Sequence, residues 1–258
     1  MAARADAAGD FLRRTTDLPS TTNLSICFWV CLRTDLNTFS PVWLMGASGS
    51  SYLQFGTNVD GTTLVWEHRS PDGLDPFITM MNMTVDTWYF VAGRANGASA
   101  TFTAYWAAAT AAALSTGSDT SGATPLNAPV EMSLFEETIF GGRSDAAVAA
   151  VKIWSGAQLT QAEFEAERWQ YLPARTANLH LWSPLQDPGD ATWIDYSGNA
   201  RTWTEGGTVL VEPGPPIAWK AARRRRAYVP AAASGAPPSS VFPAFIQKRV
   251  PLQQRLGD

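Results

Sequence analysis

Val148-Ala149-Ala150-Val151-Lys152-Ile153-Trp154-Ser155-Gly156-Ala157-Gln158-Leu159-Thr160-Gln161-Ala162-Glu163 is the stretch on which the fold turns. Residues 148–154 are β-branched, aromatic and small, the composition of a strand. Ser155-Gly156 supplies turn residues, and Thr160-Gln161-Ala162-Glu163 has capping-box spacing. In such a box the Thr160 hydroxyl accepts from the Glu163 backbone N–H while the Glu163 carboxylate reaches back, which gives the helix a defined start. The stretch predicts a strand running through a turn into a short helix, with Phe164, Trp169 and Leu172 packing the helix on a sheet.

Outward from this unit the chain continues to read as strands. Leu24, Ile26, Phe28, Val30 and Leu32 alternate with Ser25, Cys27, Trp29 and Cys31, so one face of that strand must meet a second sheet. Residues 42–45, 52–55 and 63–68 read as a meander, broken by the small residues at 46–50 and by Asp60-Gly61, a hairpin signal. Residues 87–92 and 100–106 follow, the latter with Phe102, Ala104 and Trp106 on one face and Thr101, Thr103 and Tyr105 on the other. Residues 115–124 are small and polar and predict an exposed, mobile loop or a clasp on a neighbour. Residues 132–140 read as another strand, and the Ala-rich residues 1–10 as a loose or partner-held end.

Several of these segments resemble the laminin G-like domains of the concanavalin A-like jelly-roll superfamily. Val151-Lys152-Ile153-Trp154, then Leu159-Thr160 and Glu163-Phe164, is similar to that family's Val-Arg-Ile-Tyr strand followed by Ala-Leu-Ser-x-x-Glu-Ile. Leu24-Ser25-Ile26-Cys27-Phe28-Trp29-Val30 resembles its Phe-Ser-Ile-Ser-Phe-Trp-Val strand, and Gly9-Asp10-Phe11-Leu12 the edge strand before it. Thr87-Trp88-Tyr89-Phe90-Val91-Ala92 resembles Thr-Trp-Tyr-His-Val-Ala, with Phe90 in place of His, a change toward packing rather than chemistry. Gly141-Gly142-Arg143 resembles its Ile-Gly-Gly. Leu179-His180-Leu181-Trp182 and Asp195-Tyr196-Ser197-Gly198-Asn199 resemble the family's Tyr-Trp-x-Leu strand and Asp-x-Ser-Gly-Asn turn, although many relatives place this unit first and here it comes last. The resemblance implies an all-β fold, a two-sheet jelly-roll sandwich (concanavalin A-like) over residues 11–212. It carries one short helix, an N-terminal extension at 1–10 and an extended C-terminal arm at 213–258.

Composition agrees with one sandwich and appendages. At 258 residues the chain can bury a full core as one domain. Charged residues make up 16%, below the ~25% usual in soluble domains, while eleven Trp, twelve Phe and six Tyr suit sheet faces and interfaces. No apolar run approaches the ~18 residues that span a bilayer, and the first residues lack the apolar core of a secretory leader, which predicts a soluble chain with no membrane partner. Cys27 and Cys31 are four apart on a predicted strand, so their Cα atoms are ~13 Å apart and beyond disulfide reach. Free thiols fit folding in a reducing cytoplasm.

The net charge of −4 hides an asymmetry. From residue 213 onward eight Lys and Arg face one acid, a net +7, which leaves the body at −11. Pro213-Gly214-Pro215-Pro216, the block Arg223, Arg224, Arg225 and Arg226, and Phe242 and Phe245 belong to an extended arm rather than a core-forming segment. Those arginines and phenylalanines are the predicted assembly contacts. In composition the arm resembles tails of structural proteins in tailed-bacteriophage particles. The arginine block lacks interleaved stacking aromatics and the acidic body repels DNA, so a protein contact is preferred to nucleic acid.

The residues that could carry chemistry are few. Glu131 and Glu136 have the outer spacing of the Glu-x-Asp-x-x-Glu strand of family 16 glycoside hydrolases, but the middle Asp is Ser133 and a regular strand sets the two on opposite faces unless a bulge re-aims one. No catalytic residue is assigned. The laminin G-like resemblance implies calcium at the sandwich rim, yet Ala149 and Ala150 stand where many relatives carry Asp-Glu. Asp60, Asp145 and Asp195 remain possible oxygen donors, more simply read as turn formers. His68 and His180 do not form zinc spacing with the cysteines, so no metal site and no cofactor are assigned. For a sugar, which stacks on aromatic faces, the candidates are Trp66, Tyr105, Trp106, Trp193 and Trp203.

The sequence thus points to a non-enzymatic structural or decoration protein of a large multi-copy assembly, most plausibly a phage virion built in a host cytoplasm. Its partners would be other structural proteins of that assembly, and the arm would anchor it. A lectin module for host-surface glycans is the alternative, and a family 16-type glycoside hydrolase the second alternative.

Overall fold

The computed structural model describes residues 1–35, 38–48, 51–70, 75–96, 101–120, 128–136, 141–186 and 192–217. Within them sixteen strands and one helix form two antiparallel sheets. The first sheet is centred on β3 (Asn23–Leu32) and β12 (Ala146–Ser155). On the β3 side follow β8 (Tyr89–Asn96), β9 (Thr101–Ala108) and β10 (Ser115–Asp119). On the β12 side, β1 (Ala2–Ala5) pairs with its first half and β13 (Leu179–Ser183) with its second, and β16 (Leu210–Glu212) pairs with the outer edge of β1. The second sheet runs β14 (Thr192–Trp193), β15 (Trp203–Gly206), β2 (Phe11–Arg14), β11 (Glu131–Leu134), β4 (Ser40–Ser48), β5 (Ser51–Thr57), β6 (Thr63–Arg69), β7 (Phe77–Asn82).

The alternation in β3 sets the layers. Leu24, Ile26, Phe28, Val30 and Leu32 enter the core between the sheets, where Phe28 meets Phe55 edge-on at 5.3 Å and Phe55 lies 4.1 Å from Trp66. Gly93 makes room for this ring cluster, because a Cβ there would sit 2.8 Å from Phe55 and 2.9 Å from Trp66. Burial of each such large side chain contributes ~1.5–3 kcal/mol. The opposite face of β3 is buried as well. Cys27, Trp29 and Cys31 join Phe90, Tyr105, Trp154 and Phe164 in a second apolar cluster beneath α1 (Gln161–Arg168). Both cysteines are free, and burial pushes their thiols up, Cys31 to about 11, so neither forms a reactive thiolate near neutral pH.

The helix starts where its capping box predicts, with Thr160 Oγ1 accepting from Glu163 N at 3.3 Å and Glu163 Oε2 accepting from Thr160 N at 2.8 Å. Those bonds and Arg175 hold the Glu163 carboxyl below its usual range. The packing residues differ from expectation. Phe164 is buried, but Trp169 and Leu172 are 44% and 45% exposed. The fixing contact is instead polar. Lys152 Nζ, reaching out from β12, donates to Glu167 Oε2 and the Gln170 carbonyl, each at 2.7 Å, and to the Glu167 carbonyl at 3.1 Å. Glu167 Oε1 accepts from Arg175 N at 2.8 Å, so both side chains, 1% and 0% exposed, are paired.

Five other expectations change. Residues 2–5 are not a loose end but β1, whose small alanines fit between β12 and β16 with Ala2, Ala3 and Ala5 almost fully buried. Phe11–Arg14 is not an edge strand, since β15 pairs with it on one side and β11 on the other. Residues 115–119, expected as loop, form β10, because the free edge of β9 offers a backbone ladder that no side chain need supply. Of the strand expected at 132–140, β11 covers residues only as far as Leu134, where Phe135 takes φ 74, and residues 137–140 lie outside the described residues. Residues 213–217 return to the body as well. A Cβ on Gly214 would lie 2.6 Å from the Met1 carbonyl oxygen, and Ile217 is buried in the outer cluster. Arg223, Arg224, Arg225, Arg226, Phe242 and Phe245 lie outside the described residues.

Removing one partner of a buried ion pair strands the other charge in the interior. Glu167→Gln is therefore expected to lower unfolding stability by ~3–5 kcal/mol, and the double variant Lys152→Met with Glu167→Gln by clearly less. Urea denaturation midpoints measure this, and a single variant within ~0.5 kcal/mol of the parent would refute the clamp.

Candidate ligand cleft at the rim between β13 and β14

The site grows out of the register between β12 and β13. Ile153 faces Leu181 and Lys152 faces Trp182, so Leu181 enters the core and Trp182 points to the other side of the sheet. The Asp-x-Ser-Gly-Asn turn then folds back on this strand. Asp195 Oδ1 accepts from the backbone N–H groups of Trp182 at 3.0 Å and Ser197 at 2.8 Å. Its Oδ2 accepts from the Ser197 hydroxyl at 2.7 Å and the Arg201 N–H at 2.9 Å. Asn199 Nδ2 donates to the Leu179 and His180 carbonyls at 3.0 Å each, and Arg201 pairs with Asp17 at 2.7 Å. The Tyr196 N–H donates to the Trp182 carbonyl at 2.7 Å. With its backbone held this way, the Tyr196 ring stands 5.7 Å from that of Trp182 at an interplanar angle of 51°.

Beside this pair lies a cleft of about 380 Å³, the size of a small-ligand pocket. It reaches from Trp182, Ser183 and Pro184 of the first sheet's side, past Leu185 and Gln186, to Trp193, Ile194 and Tyr196. Tyr196 is 40% exposed. Trp182 Nε1 and Ser183 Oγ are buried without a hydrogen-bond partner in the protein, and the Gln186 side chain is hydrogen-bonded to Tyr171. The backbone under the cleft is strained. Leu185 (φ 55) and Ala150 (φ 54) both occupy the left-handed region, costing of order 1 kcal/mol each, and the Ala150 N–H donates to the Pro184 carbonyl at 3.3 Å from the bulge in β12.

Of the aromatic residues chosen from the sequence only Trp193 lines this cleft. Trp66 and Trp203 are 1% exposed, Trp193 2% and Tyr105 3%, so none offers a stacking face to solvent. Trp66 lies against Phe55 and Trp43 in the core, Tyr105 against Phe164 under the helix, and Trp203 opposite Trp193 between β14 and β15. Trp193 touches the cleft from its buried side and donates Nε1–H to Glu205 at 2.7 Å. Trp106 is partly buried against the core, close to Gly117. Trp182 and Tyr196 were missed, yet both carry a signal. Leu181 pointing inward forces its neighbour outward, and Tyr196 is the variable position of a turn whose other side chains hold its backbone.

The acidic candidates are committed to the fold. Asp195 is saturated as described, Asp60 accepts from Thr62 and Thr63, and Asp145 from Arg4 and Thr34. Hydrogen bonds from Thr63 hold the Asp60 carboxyl low. No group of three or more His, Cys, Asp or Glu suited to a metal occurs among the described residues. Glu131 is buried and lies 3.5 Å from Arg13 Nε, while Glu136, beyond the break at Phe135, accepts from the Gly9 N–H at 2.6 Å. Neither lines the cleft.

No family model and no curated protein matches the sequence. Solved structures do share the fold. The enzymatically active domain of tailspike protein 2 of bacteriophage CBA120 superposes with a TM-score of 0.54 at 14% identity, over 70% of this chain and 29% of that one. The chain thus spans under a third of the tailspike. A native heptameric SAP-like pentraxin from Limulus polyphemus is similar at TM-score 0.46 and 14% identity, over 62% of this chain and 76% of that one. The LG1-3 region of the laminin α2 chain gives 0.46 and 11%, over 57% of this chain and 30% of that one. At these identities the likeness is one of fold, a two-sheet antiparallel jelly-roll sandwich.

His180 gives the turn a pH dependence. Burial and neighbouring Arg201 lower its pKa to about 4, and Nε2 lies 3.0 Å from the Asp17 carbonyl. Between about 6.5 and 4 the unfolded chain binds a proton that the folded chain refuses, so stability falls as pH drops through this window. His180→Gln is expected to flatten the decline in Tm between pH 6.5 and 5, and an unchanged slope would show that another group is responsible.

Proposed function

We propose that this chain is a non-enzymatic carbohydrate-binding sandwich acting within a large multi-copy assembly of virion type. The cleft carries the first part of this reading. Sugars present apolar faces to aromatic rings, and Trp182 and Tyr196 stand together at one concavity. Glycoside hydrolysis needs two carboxylates flanking the scissile bond, and the described lining of the cleft contains none, which favours binding over catalysis. Calcium has no part in this reading, since Asp195 is already satisfied by protein donors.

The assembly reading rests on different observations. The basic, Pro-rich segment beyond residue 217 follows an acidic sandwich, and the solved protein with the same fold at TM-score 0.54 is by its name a phage tailspike. Other structural proteins of such a particle would be the partners, met through Arg223, Arg224, Arg225, Arg226, Phe242 and Phe245.

Glycan-array screening of the whole chain tests the binding role. Tyr196→Ala and Trp182→Ala should each weaken any saccharide hit by at least about tenfold, about 1.4 kcal/mol, without lowering the unfolding midpoint to the same degree. Binding untouched by both substitutions would remove the cleft from the account. Trypsin tests the assembly role, with cleavage at Arg223, Arg224, Arg225 and Arg226 expected to be rapid in the isolated chain and suppressed in the particle. Equal cleavage in both would overturn the anchor.

A further inference from the structure

We infer that Tyr171 is a positioning residue for the cleft and that, through it, the seating of residues 213–217 on the body fixes the cleft wall at Gln186; the consequence for ligand affinity rests on the saccharide reading above. The contacts around one hydroxyl carry the inference. Tyr171, 3% exposed, lies in the outer cluster just after α1, and Lys152 Nζ holds this turn by donating to the carbonyl of the preceding Gln170 at 2.7 Å. The Tyr171 side chain is hydrogen-bonded to that of Gln186, a residue lining the cleft. The same hydroxyl has Gly214 against it, since a Cβ there would lie 2.8 Å from the Tyr171 oxygen and 2.6 Å from the Met1 carbonyl oxygen. Wall and segment thus meet at one side chain.

Both groups that Tyr171 meets depend on local contacts for their place. Gln186 lies beyond the end of β13, after the left-handed Leu185 (φ 55), where a side-chain hydrogen bond rather than a strand ladder sets its position. Residues 213–217 include three prolines, which lack the N–H that a ladder needs. They hold to the body by the close approach at Gly214 and by burial of Ile217 in the cluster that contains Tyr171. A segment held in this way opens at a lower free energy than the sandwich as a whole. It leads directly into the basic, Pro-rich segment beyond residue 217, so a partner that draws on that segment acts on the seat and, through Tyr171, on the cleft.

Amide hydrogen exchange of the whole chain, read by mass spectrometry over residues 182–186 and 195–197, tests this without a ligand. Tyr171→Phe keeps the ring and removes the hydroxyl. It should speed exchange over 182–186 about fivefold, the shift that losing one ordinary hydrogen bond gives, with β3 and β8 unchanged. Gly214→Ala, or Ile217→Ala if the first does not fold, unseats the segment and should produce the same local response. In a double-mutant cycle Tyr171→Phe should add nothing to Gln186→Leu. Full additivity, or no response to Tyr171→Phe, overturns the positioning role. A response to Tyr171→Phe but to neither seat variant overturns the part given to residues 213–217. Tyr105→Phe, the same change elsewhere in the outer cluster, should leave the cleft unmoved, and an equal response there overturns the inference by showing general softening. Any saccharide hit should bind Tyr171→Phe about fivefold more weakly, and a hit indifferent to it overturns the consequence for affinity. An exchange response with no saccharide hit removes the saccharide reading and supports the coupling alone.

Discussion

A lysine and a glutamate that are both removed from water hold the outer layer of this protein in place. Lys152 leaves a central strand, and everything its ammonium can donate to belongs to α1 or the turn after it. Glu167 answers with its other oxygen bound to the Arg175 backbone. Two neighbouring groups repeat the pattern, because the Trp29 and Trp154 indole N–H groups donate to the carbonyls of Arg168 and Arg175. A buried charge tolerates only one arrangement of its partners, so these contacts fix the angle and height of the helix where apolar packing alone would allow sliding. With the helix settled, the outward faces of β3 and β12 become a second core, and β13 is left to continue the sheet along the second half of β12.

The cleft is a consequence of that continuation. Where β1 stops pairing with β12 and β13 begins, β12 bulges and Ala150 turns left-handed to donate to Pro184. Leu185 is left-handed too, and the chain leaves the sheet as a ledge rather than an extended strand. On the far side the Asp195 carboxylate gathers four donors and presents Tyr196 to Trp182. The aspartate thus works as a structural staple, and the one residue of the turn whose side chain it does not use, Tyr196, is the one that lines the cleft.

Much of the frame was legible in the residues. The capping box, the alternation in Leu24 to Leu32, the Asp60-Gly61 turn and the Asp195 turn are local devices whose physics is complete within a few residues, and each lies where it was expected. The elements misjudged are those whose state depends on neighbours far along the chain. Ala2 to Ala5 and Ser115 to Asp119 are poor in strand-forming side chains, with Thr116 the one β-branched residue, and become strands because β12 and β9 offer them free backbone edges. Aromatics were misjudged for the same reason. Trp66, Tyr105, Trp193 and Trp203 are as large and amphipathic as Trp182, and only the second sheet or the helix decides which of them lose their contact with water.

By itself, then, the sequence determined the class of fold, the start of the helix, the free state of two strand cysteines and the turn at Asp195, since each follows from spacing and local hydrogen bonding. Only the tertiary structure decided that the sheets close with residues 2–5 and 210–212 side by side, and that Lys152 is buried against Glu167. It also decided that Trp182 and Tyr196 share a cleft with Trp193, while Trp66, Tyr105 and Trp203 are buried. The physical reason is that burial and pairing are properties of surfaces brought together, and no segment read alone contains the surface it meets.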